Sequence, residues 1–428
     1  MKAYPEYKAS GIDWIGEIPR HWIIIRLGLL FDAKAGGDAK PEMYSEVKDE
    51  KHPFPVYTNS MVESQIYAYT SQALFKAGSI TVTGRGDIGH AFLRKEDFDA
   101  IIRLVVLSPK KDLHCEYYRY FIDTVIPFFT DSAAVGQLSA SQITKYFLVL
   151  PPIPEQKEIA GYLDEVCGQI DALVTEKQAQ VDELRAYRTS LITETVTRGL
   201  NPDALLRPSG FDWMGEIPQH WVDSKLKYLT SKIGSGVTPR GGSEVYVNEG
   251  VLFLRSQNIY DEGLYLEDPQ YISLDIDASM EGTRVLTGDI LLNITGASIG
   301  RCCIYNLTDP ANVNQHVCII RTVKERLLPH FLKLLFNSRI GQTQINLYQT
   351  GANREGLNFE QLKNFYIPLP PLPEQKEIAE FLDAKTAKID EAIGELEAQL
   401  KNLAEYKQAV ITEAVTGKVD VRDWKPKN

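Results

Sequence analysis

The chain has 428 residues, 44% of them hydrophobic and 24% charged, with a formal net charge of −11 at neutral pH. That length accommodates two or three domains, each with its own core, and the composition is globular rather than disordered or fibrous. No apolar run approaches the roughly 18 residues of a membrane span, the first ten residues hold no secretory h-region, and the five cysteines form no C-x-x-C pair; a membrane protein, a secreted disulfide scaffold and a zinc module are disfavoured, and a reducing cytoplasm is expected.

In chain order, residues 10–22 read SGIDWIGEIPRHW, and the motif returns at 209–221 as SGFDWMGEIPQHW, 199 positions later. Trp14, Trp22, Trp213 and Trp221, with their proline neighbours, suit either a docking surface or a local core. A mixed α and β segment follows each motif. In the first, GSITVTG (78–84) alternates Ile80 and Val82 with Ser79, Thr81 and Thr83, as a half-buried strand does, and runs into a turn at Gly84, Gly86 and Gly89. Further strands are predicted at 101–107 and 146–150, with a short helix over 117–129. In the second, GDILLNITG (288–296) runs likewise into Gly296, Ser298 and Gly300, with strands at 317–321 and 365–369 and a helix over 329–337.

Each segment ends in a proline cluster that opens a long helix. Residues 151–171 read PPIPEQKEIAGYLDEVCGQID and 370–390 read PPLPEQKEIAEFLDAKTAKID, now 219 positions apart, so the second copy has gained about 20 residues in its globular part. Apolar residues fall at Ile159, Leu163, Val166, Ile170 and Leu173 and resume at Leu184, Tyr187 and Leu191. The second copy places Ile378, Leu382, Ile389, Ala392, Leu396, Leu403, Tyr406 and Val410 on the same stripe. Steps alternating four and three make the seam of a helix that packs lengthwise on another helix. Proline is tolerated at the start, and Gly199 and Gly417 mark the stops. One narrow seam cannot be buried by a lone helix, and the simplest partner for each is the other.

The fold class is therefore α+β: two mixed globular domains (1–153 and 201–372) separated by two long antiparallel, coiled-coil-like helices (154–200 and 373–418) in an internal pseudo-two-fold repeat, with a polar tail (419–428) expected to fray. The helical stretches 155–198 and 374–418 carry 9 acidic and 5 basic residues and 10 and 6, so they hold −8 of the −11. The rest is near neutral, and overall charge gives no positive support for nucleic-acid binding. The frame is kept twice while the middles diverge, which points to two copies of one partner and two different ligands or ligand halves.

Candidate contact residues lie in the polar turns. TGRGDIG (83–89) and TGASIGR (295–301) offer Arg85, Ser298 and Arg301 beside glycines that let a phosphate approach, although neither is a Walker A or G-x-G-x-x-G motif. RSQNI (255–259) and NVNQH (312–316) supply Arg255, Gln257, Asn258, Asn314 and Gln315, residue types that read guanine or adenine edges. GANREG (351–356) supplies Asn353 and Arg354, and the loop near 136–141 supplies Gln137, Ser139 and Ser141. His90, Arg94 and Arg240 complete the set. Each turn is also compatible with a plain structural role. No catalytic motif stands out: Asn201-Pro202-Asp203-Ala204 is not the N/D-P-P-Y/F of a methyltransferase, no helicase or nuclease cluster is present, and the seven histidines show no zinc spacing.

The doubled P-P-I/L-P-E-Q-K-E-I-A, the doubled S-G-x-D-W-x-G-E-I-P-x-H-W, and G-D-I-L-L-N-I-T-G-A-S-I-G-R ahead of N-Q-H resemble the specificity subunits of type I restriction-modification systems over nearly the whole chain. The first middle departs from the pattern in lacking an R-S-Q-N or N-Q pair. The resemblance implies two target recognition domains, each reading half of a split, asymmetric double-stranded DNA sequence, with the helix pair setting the unread gap. It implies docking of two modification (methyltransferase) subunits, with restriction subunits joining through them. S-adenosylmethionine, ATP and Mg²⁺ would belong to those partners, leaving this chain without catalysis, cofactor or metal. A duplicated scaffold or adhesion module that binds no DNA, and an enzyme in its own right, are the alternatives.

Overall fold

Both proline clusters open helices, Ile153–Arg198 of 46 residues and Leu372–Val415 of 44. Gly199 (φ +73°) and Gly417 (φ +74°) follow them in the left-handed conformation that ends a helix without a Cβ penalty. A computed structural model describes residues 2–128, 137–239, 241, 245–349 and 356–425. Two compact units emerge, Met1–Gln178 with Ala398–Asn428, and Ala179–Glu397, so the division falls inside the long helices.

Within each unit the helix segments run antiparallel. In the first, Lys407 Nζ meets Asp171 Oδ1 at 2.6 Å and Lys177 Nζ donates to Gln399 Oε1 at 2.6 Å. In the second, Arg185 Nη2 meets Glu397 Oε1 at 2.6 Å, and Arg188 grips Asp390 through Nε at 2.8 Å and Nη2 at 3.1 Å. Exposed pairs of this kind contribute only about 0–1 kcal/mol each, so they set register more than stability. The expected seam is corrected in its phase. Leu173, Tyr187 and Tyr406 are 45%, 57% and 56% exposed. The covered stripe instead passes through Leu163, Cys167, Ile170, Val174, Lys177, Val181, Leu184, Arg188 and Leu191, and through Leu382, Thr386, Ile389, Ile393, Leu396, Leu400, Leu403, Lys407 and Val410. Ile159 and Ile378 are fully buried, and Val166 and Ala392 are half-buried at its flank. Counting apolar letters skipped Lys177, Arg188 and Lys407, whose alkyl stems lie in the seam while their charged ends reach the opposite helix.

The first unit holds an antiparallel sheet in the order Phe31–Ala35, Val105–Pro109, Ile80–Val82, Ala91–Leu93. The helix Cys115–Thr124 buries Tyr117, Tyr118, Phe121 and Ile122 in the same core as Ile80, Val82, Val105 and Leu107, and that core also takes Ile159, Leu163, Ile411 and Val415. A second sheet is ordered Asp99–Ala100, Phe54–Tyr57, Ile66–Thr70, Tyr44–Ser45, and its first pair is parallel. The second unit repeats both sheets. The antiparallel one is Thr230–Ser235, Val317–Thr322, Ile290–Asn293, Cys302–Ile304, and it shares a core with the helices Pro329–Asn337 and Arg339–Gln349. The other is Tyr246–Val247, Gln270–Ile272, Val251–Leu254, Ala311–Val313, Arg284–Val285, with Val251–Leu254 parallel to Ala311–Val313.

Two strand expectations change. Ser79, Thr81 and Thr83 are as buried as Ile80 and Val82, because each hydroxyl finds a partner: Ser79 with Ser108 Oγ at 3.1 Å, Thr81 Oγ1 accepting from Arg94 Nε at 2.9 Å, and Thr83 Oγ1 donating to the Asp87 carbonyl at 2.6 Å. The strand expected at 101–107 begins only at Val105, behind a tight turn at Ile102 and Arg103.

The repeated motifs prove to be joints between strand, loop and helix. Glu155 accepts from Trp22 Nε1 at 2.9 Å and Tyr4 Oη at 3.1 Å, and its other oxygen meets His21 Nε2 at 2.7 Å. Gln156, fully buried, accepts from His114 N and donates to the Pro151 carbonyl; Gln375 does the same with Leu328 N and the carbonyls of Pro370 and Arg326. The second Glu joint is looser. Glu374 meets His220 at 2.9 Å, and the buried Trp221 Nε1 has no partner. Trp22 and Trp221 are core residues, Trp213 is half-buried against the core of the second unit, and Trp14 is 38% exposed. The tail does not fray as far as residue 425. Asp420 bridges Lys2, Val421 is buried, Arg422 lies over the Tyr4 ring and Trp424 packs edge-on against Tyr162. Among the described residues no helix is long and apolar enough to cross a membrane.

The asymmetry of the joints is testable. Glu155→Ala strands two buried donors and is expected to cost about 1–3 kcal/mol. Glu374→Ala, which removes one exposed histidine contact, is expected to cost under about 1 kcal/mol. Urea unfolding of the two variants checks the order.

Candidate nucleic-acid interface

Parallel neighbours end at the same edge of a sheet, so the loops leaving them meet. In the second unit the loops after Val251–Leu254 and Ala311–Val313 emerge together, and the turn after Ile290–Asn293 is tied to them. Asn293, fully buried, donates from Nδ2 to the Ser256 carbonyl at 2.9 Å and to Ser298 Oγ at 3.1 Å. The result is an open groove of about 450 Å³ whose wall includes Gln257, Tyr260, Thr295, Ser298, Arg301 and His316. Exposed Arg301 lies 5.1 Å over the Tyr260 ring, a cation–π contact that holds the guanidinium without consuming its N–H donors. His316 Nδ1 pairs with Thr295 Oγ1 at 2.6 Å, and its Nε2 lies 3.2 Å from Gln315 Nε2. Thr238 Oγ1 donates to Gln315 Oε1. Beside Tyr260, Asp261 accepts the Cys302 N–H at 3.0 Å, and burial pushes its carboxyl above the usual carboxylate range.

The first unit builds the same edge from other residues. Here an asparagine ties the loops from the opposite side. Asn59, just after Phe54–Tyr57, accepts from Gly84 N at 2.7 Å and donates to the Arg85 carbonyl at 2.6 Å. Arg85 is exposed and its backbone bridges Gln137, as Thr295 bridges Gly356 in the second unit. Gln137 Oε1 accepts from Arg103 Nη1 at 3.1 Å. Ile102 (φ +52°) and Arg103 (φ +59°) are the only non-glycine residues with positive φ among those described. With Leu104 N bonded to the Ile101 carbonyl at 3.3 Å, they occupy the centre of a turn that normally takes Gly, Asn or Asp. Left-handed backbone costs an L-residue roughly 1–2 kcal/mol.

With both edges in view, comparison with known proteins is direct. The model of the type I restriction modification DNA specificity domain matches this chain twice, over residues 19–183 and 218–402. The chain belongs to that family. The two matches start 199 positions apart and end 219 apart, the same offsets as the internal repeat. The chain is 28% identical over 309 residues to the Escherichia coli type I restriction enzyme EcoBI specificity subunit, covering 70% of this chain and 64% of that protein. It is 23% identical over 418 residues to the MjaVIII specificity subunit of Methanocaldococcus jannaschii, covering 95% of each. A solved chain described under "Structural basis underlying complex assembly and conformational transition of the type I R-M system" shares the fold, with a TM-score of 0.69 at 15% identity over 94% of this chain and 99% of that one.

The two edges gather only part of the set expected from sequence. Gln257, Ser298, Arg301 and Gln315 line or adjoin the groove of the second unit; Arg85 and Gln137 share an edge in the first. His90 is partly exposed, with Nδ1 3.9 Å from Asp123 Oδ1. Ser141 is exposed, 3.1 Å from Ser139 Oγ. Several candidates are corrected because their polar groups serve the fold. Arg94 is 4% exposed, stacked on Tyr57 at 3.6 Å and bonded to Thr81 and the Glu63 carbonyl. Asn258 is 3% exposed and closes its own loop through Arg255 N and the Tyr265 carbonyl; Asn314 accepts from His316 N. Ser139 caps the helix Ala140–Ile143 in a capping box with Gln142, as Asn358 does with Gln361. Arg255 is not among these: it is half-buried, its Nη2 lies 4.0 Å from Asp268 Oδ2, and its Nε and Nη2 have no hydrogen-bond partner. Arg240, Asn353 and Arg354 lie outside the described residues.

Sequence reasoning missed Asn59, Ile102, Arg103, Tyr260, Asn293 and His316. His316 sat in the quoted N-Q-H run; each of the others has a defining partner more than 20 residues away, in Arg85, Gly37, Gln137, Arg301 and Ser256 in turn. No group of three or more metal-ligating side chains occurs among the described residues. Burial pushes the Cys303 and Cys318 thiols up to about 12, so neither offers a thiolate near neutral pH.

Two arginines separate site from scaffold. Arg301→Ala is expected to lower the salt slope of DNA binding by about 1 with little change in stability, as for a lost phosphate contact. Arg94→Ala is expected to lower the unfolding midpoint and leave that slope unchanged. Binding isotherms at four salt concentrations, with melts of both variants, check the contrast.

Proposed function

We propose that this chain is the DNA sequence-specificity subunit of a type I restriction-modification complex. It binds a bipartite, asymmetric double-stranded target, one half per unit, with the long helices fixing the unread gap. It docks two modification subunits, which bring S-adenosylmethionine, and through them restriction subunits with ATP and Mg²⁺. The chain itself orients and selects rather than catalyses, and it works in the cytoplasm.

The observation that carries this reading is the pairing of sameness and difference. Strand ladders in the two units share one register, yet equivalent edge positions hold unlike side chains: Thr295 stands where Arg85 does, and Arg301 where His90 does. One scaffold presenting two surfaces suits two unlike half-sites. The frame is the reverse case. Glu155, Gln156 and Trp22 are inward-facing, so their repetition is explained by folding, but Lys157 and Glu158 recur as Lys376 and Glu377 while exposed. Identical exposed residues in both units support identical partners.

Two rigidly linked readers make selectivity affordable. A wrong base pair costs about 1–3 kcal/mol, and linkage turns the second contact into an intramolecular one. Base-resolution methylation mapping of cells expressing the chain with its modification subunits tests the reading. A split asymmetric motif with a fixed gap is expected; a continuous motif, or none, overturns it. Removing one heptad from each long helix is expected to change the gap and leave the bases of both halves as they were. Altered half-site bases would refute the helices as the spacer.

A further inference from the structure

We infer that Ile102 and Arg103 in the first unit, and Gln315 and His316 at the equivalent positions of the second, are base-reading pairs; this rests on the DNA-specificity reading above. The sequence gives no hint of the equivalence, since Ile101-Ile102-Arg103 shares no letter with Asn314-Gln315-His316. The strand ladders supply it. In the antiparallel sheets Val82 faces Val105 and Leu292 faces Cys318, which puts Arg103 at the position of His316, two residues before each facing residue. In the parallel pairs Tyr57 faces Ala100 and Leu254 faces Val313, which puts Ile102 at the position of Gln315, two residues after. Two independent ladders give the same alignment. The bridges Arg85 to Gln137 and Thr295 to Gly356 fall in step with it.

Local chemistry fits the assignment. His316 is held by Thr295, and Arg103 is held at the same edge by Gln137 Oε1 at 3.1 Å. A guanidinium carries five N–H donors in a planar fork, so one bond to Gln137 orients it and leaves donors for a guanine edge. Ile102 is 44% exposed beside it, an apolar surface of the kind that meets a thymine methyl. Core packing does not account for either residue, because both are exposed. Yet the turn holds both in left-handed backbone, fixed by Ile102 N on the Gly37 carbonyl at 2.9 Å. Glycine or asparagine would satisfy that backbone at lower cost. An exposed β-branched residue kept where a smaller one folds better is the mark of a side chain required by a ligand.

The experiment uses the full chain with its modification subunits and reads methylation at base resolution. Arg103→Ala is expected to relax one position of the first half-site, with preference falling roughly 5- to 100-fold, as for loss of one bidentate base contact, and to leave the second half-site unchanged. Arg103→Lys is expected to recover part of that preference. Ile102→Gly is expected to raise the thermal midpoint while relaxing the first half-site, a combination that a purely structural turn does not produce. An unchanged motif in Arg103→Ala or Ile102→Gly, or relaxation of both halves together, overturns the inference. Absence of a split motif in the wild-type complex overturns the functional reading itself, so the two failures are distinguishable.

Discussion

A parallel strand pair in each unit, Phe54–Tyr57 with Asp99–Ala100 and Val251–Leu254 with Ala311–Val313, is the constraint from which the candidate interface follows. Antiparallel neighbours send successive loops to opposite edges. Parallel neighbours send theirs to one edge, and the long connection between them is what brings distant side chains together. Asn59 and Asn293 then tie that edge to the glycine turn of the adjoining sheet, one asparagine on each side of the same junction. The units have thus solved one mechanical problem twice with the residues exchanged.

The long helices follow a different economy. Their seam alternates four and three for its full length, but cationic side chains occupy three of its positions. Lys177, Arg188 and Lys407 lend alkyl stems to the seam and carry their charge to the opposite helix. A seam built this way gives up some apolar burial for pairings that select one register. Acidic charge is concentrated on these helices, which hold −8 of the −11, and the rest of the chain is near neutral.

The repeated motifs illustrate why repetition is not in itself a sign of a binding surface. Trp22, Glu155 and Gln156 recur because strand, loop and helix must be joined at one buried point, where an unpaired polar group is costly. The second copy tolerates a looser version, with Trp221 Nε1 unpaired. Only the exposed part of the repeat, such as Lys157 and Glu158 with their counterparts, bears on partners.

The amino-acid sequence by itself determined the duplicated organisation, the two long helices with their glycine stops, and the strands that begin with glycine and lead into polar turns. Those features are written in short-range patterns: a four-three period, proline and glycine punctuation, and motifs repeated at fixed offsets. Tertiary structure alone decided which polar residues are free to meet a ligand. Arg94 and Asn258 match the chemistry of readers as well as Arg301 does, but burial and bonds to Thr81 and the Glu63 carbonyl engage the first, and bonds to Arg255 N and the Tyr265 carbonyl engage the second. Phase along the seam was decided the same way, since a lysine counts as polar in a pattern and as partly apolar in a groove. The equivalence of Ile102 and Arg103 with Gln315 and His316 exists only in the hydrogen-bond register between strands, which has no counterpart in the order of the letters.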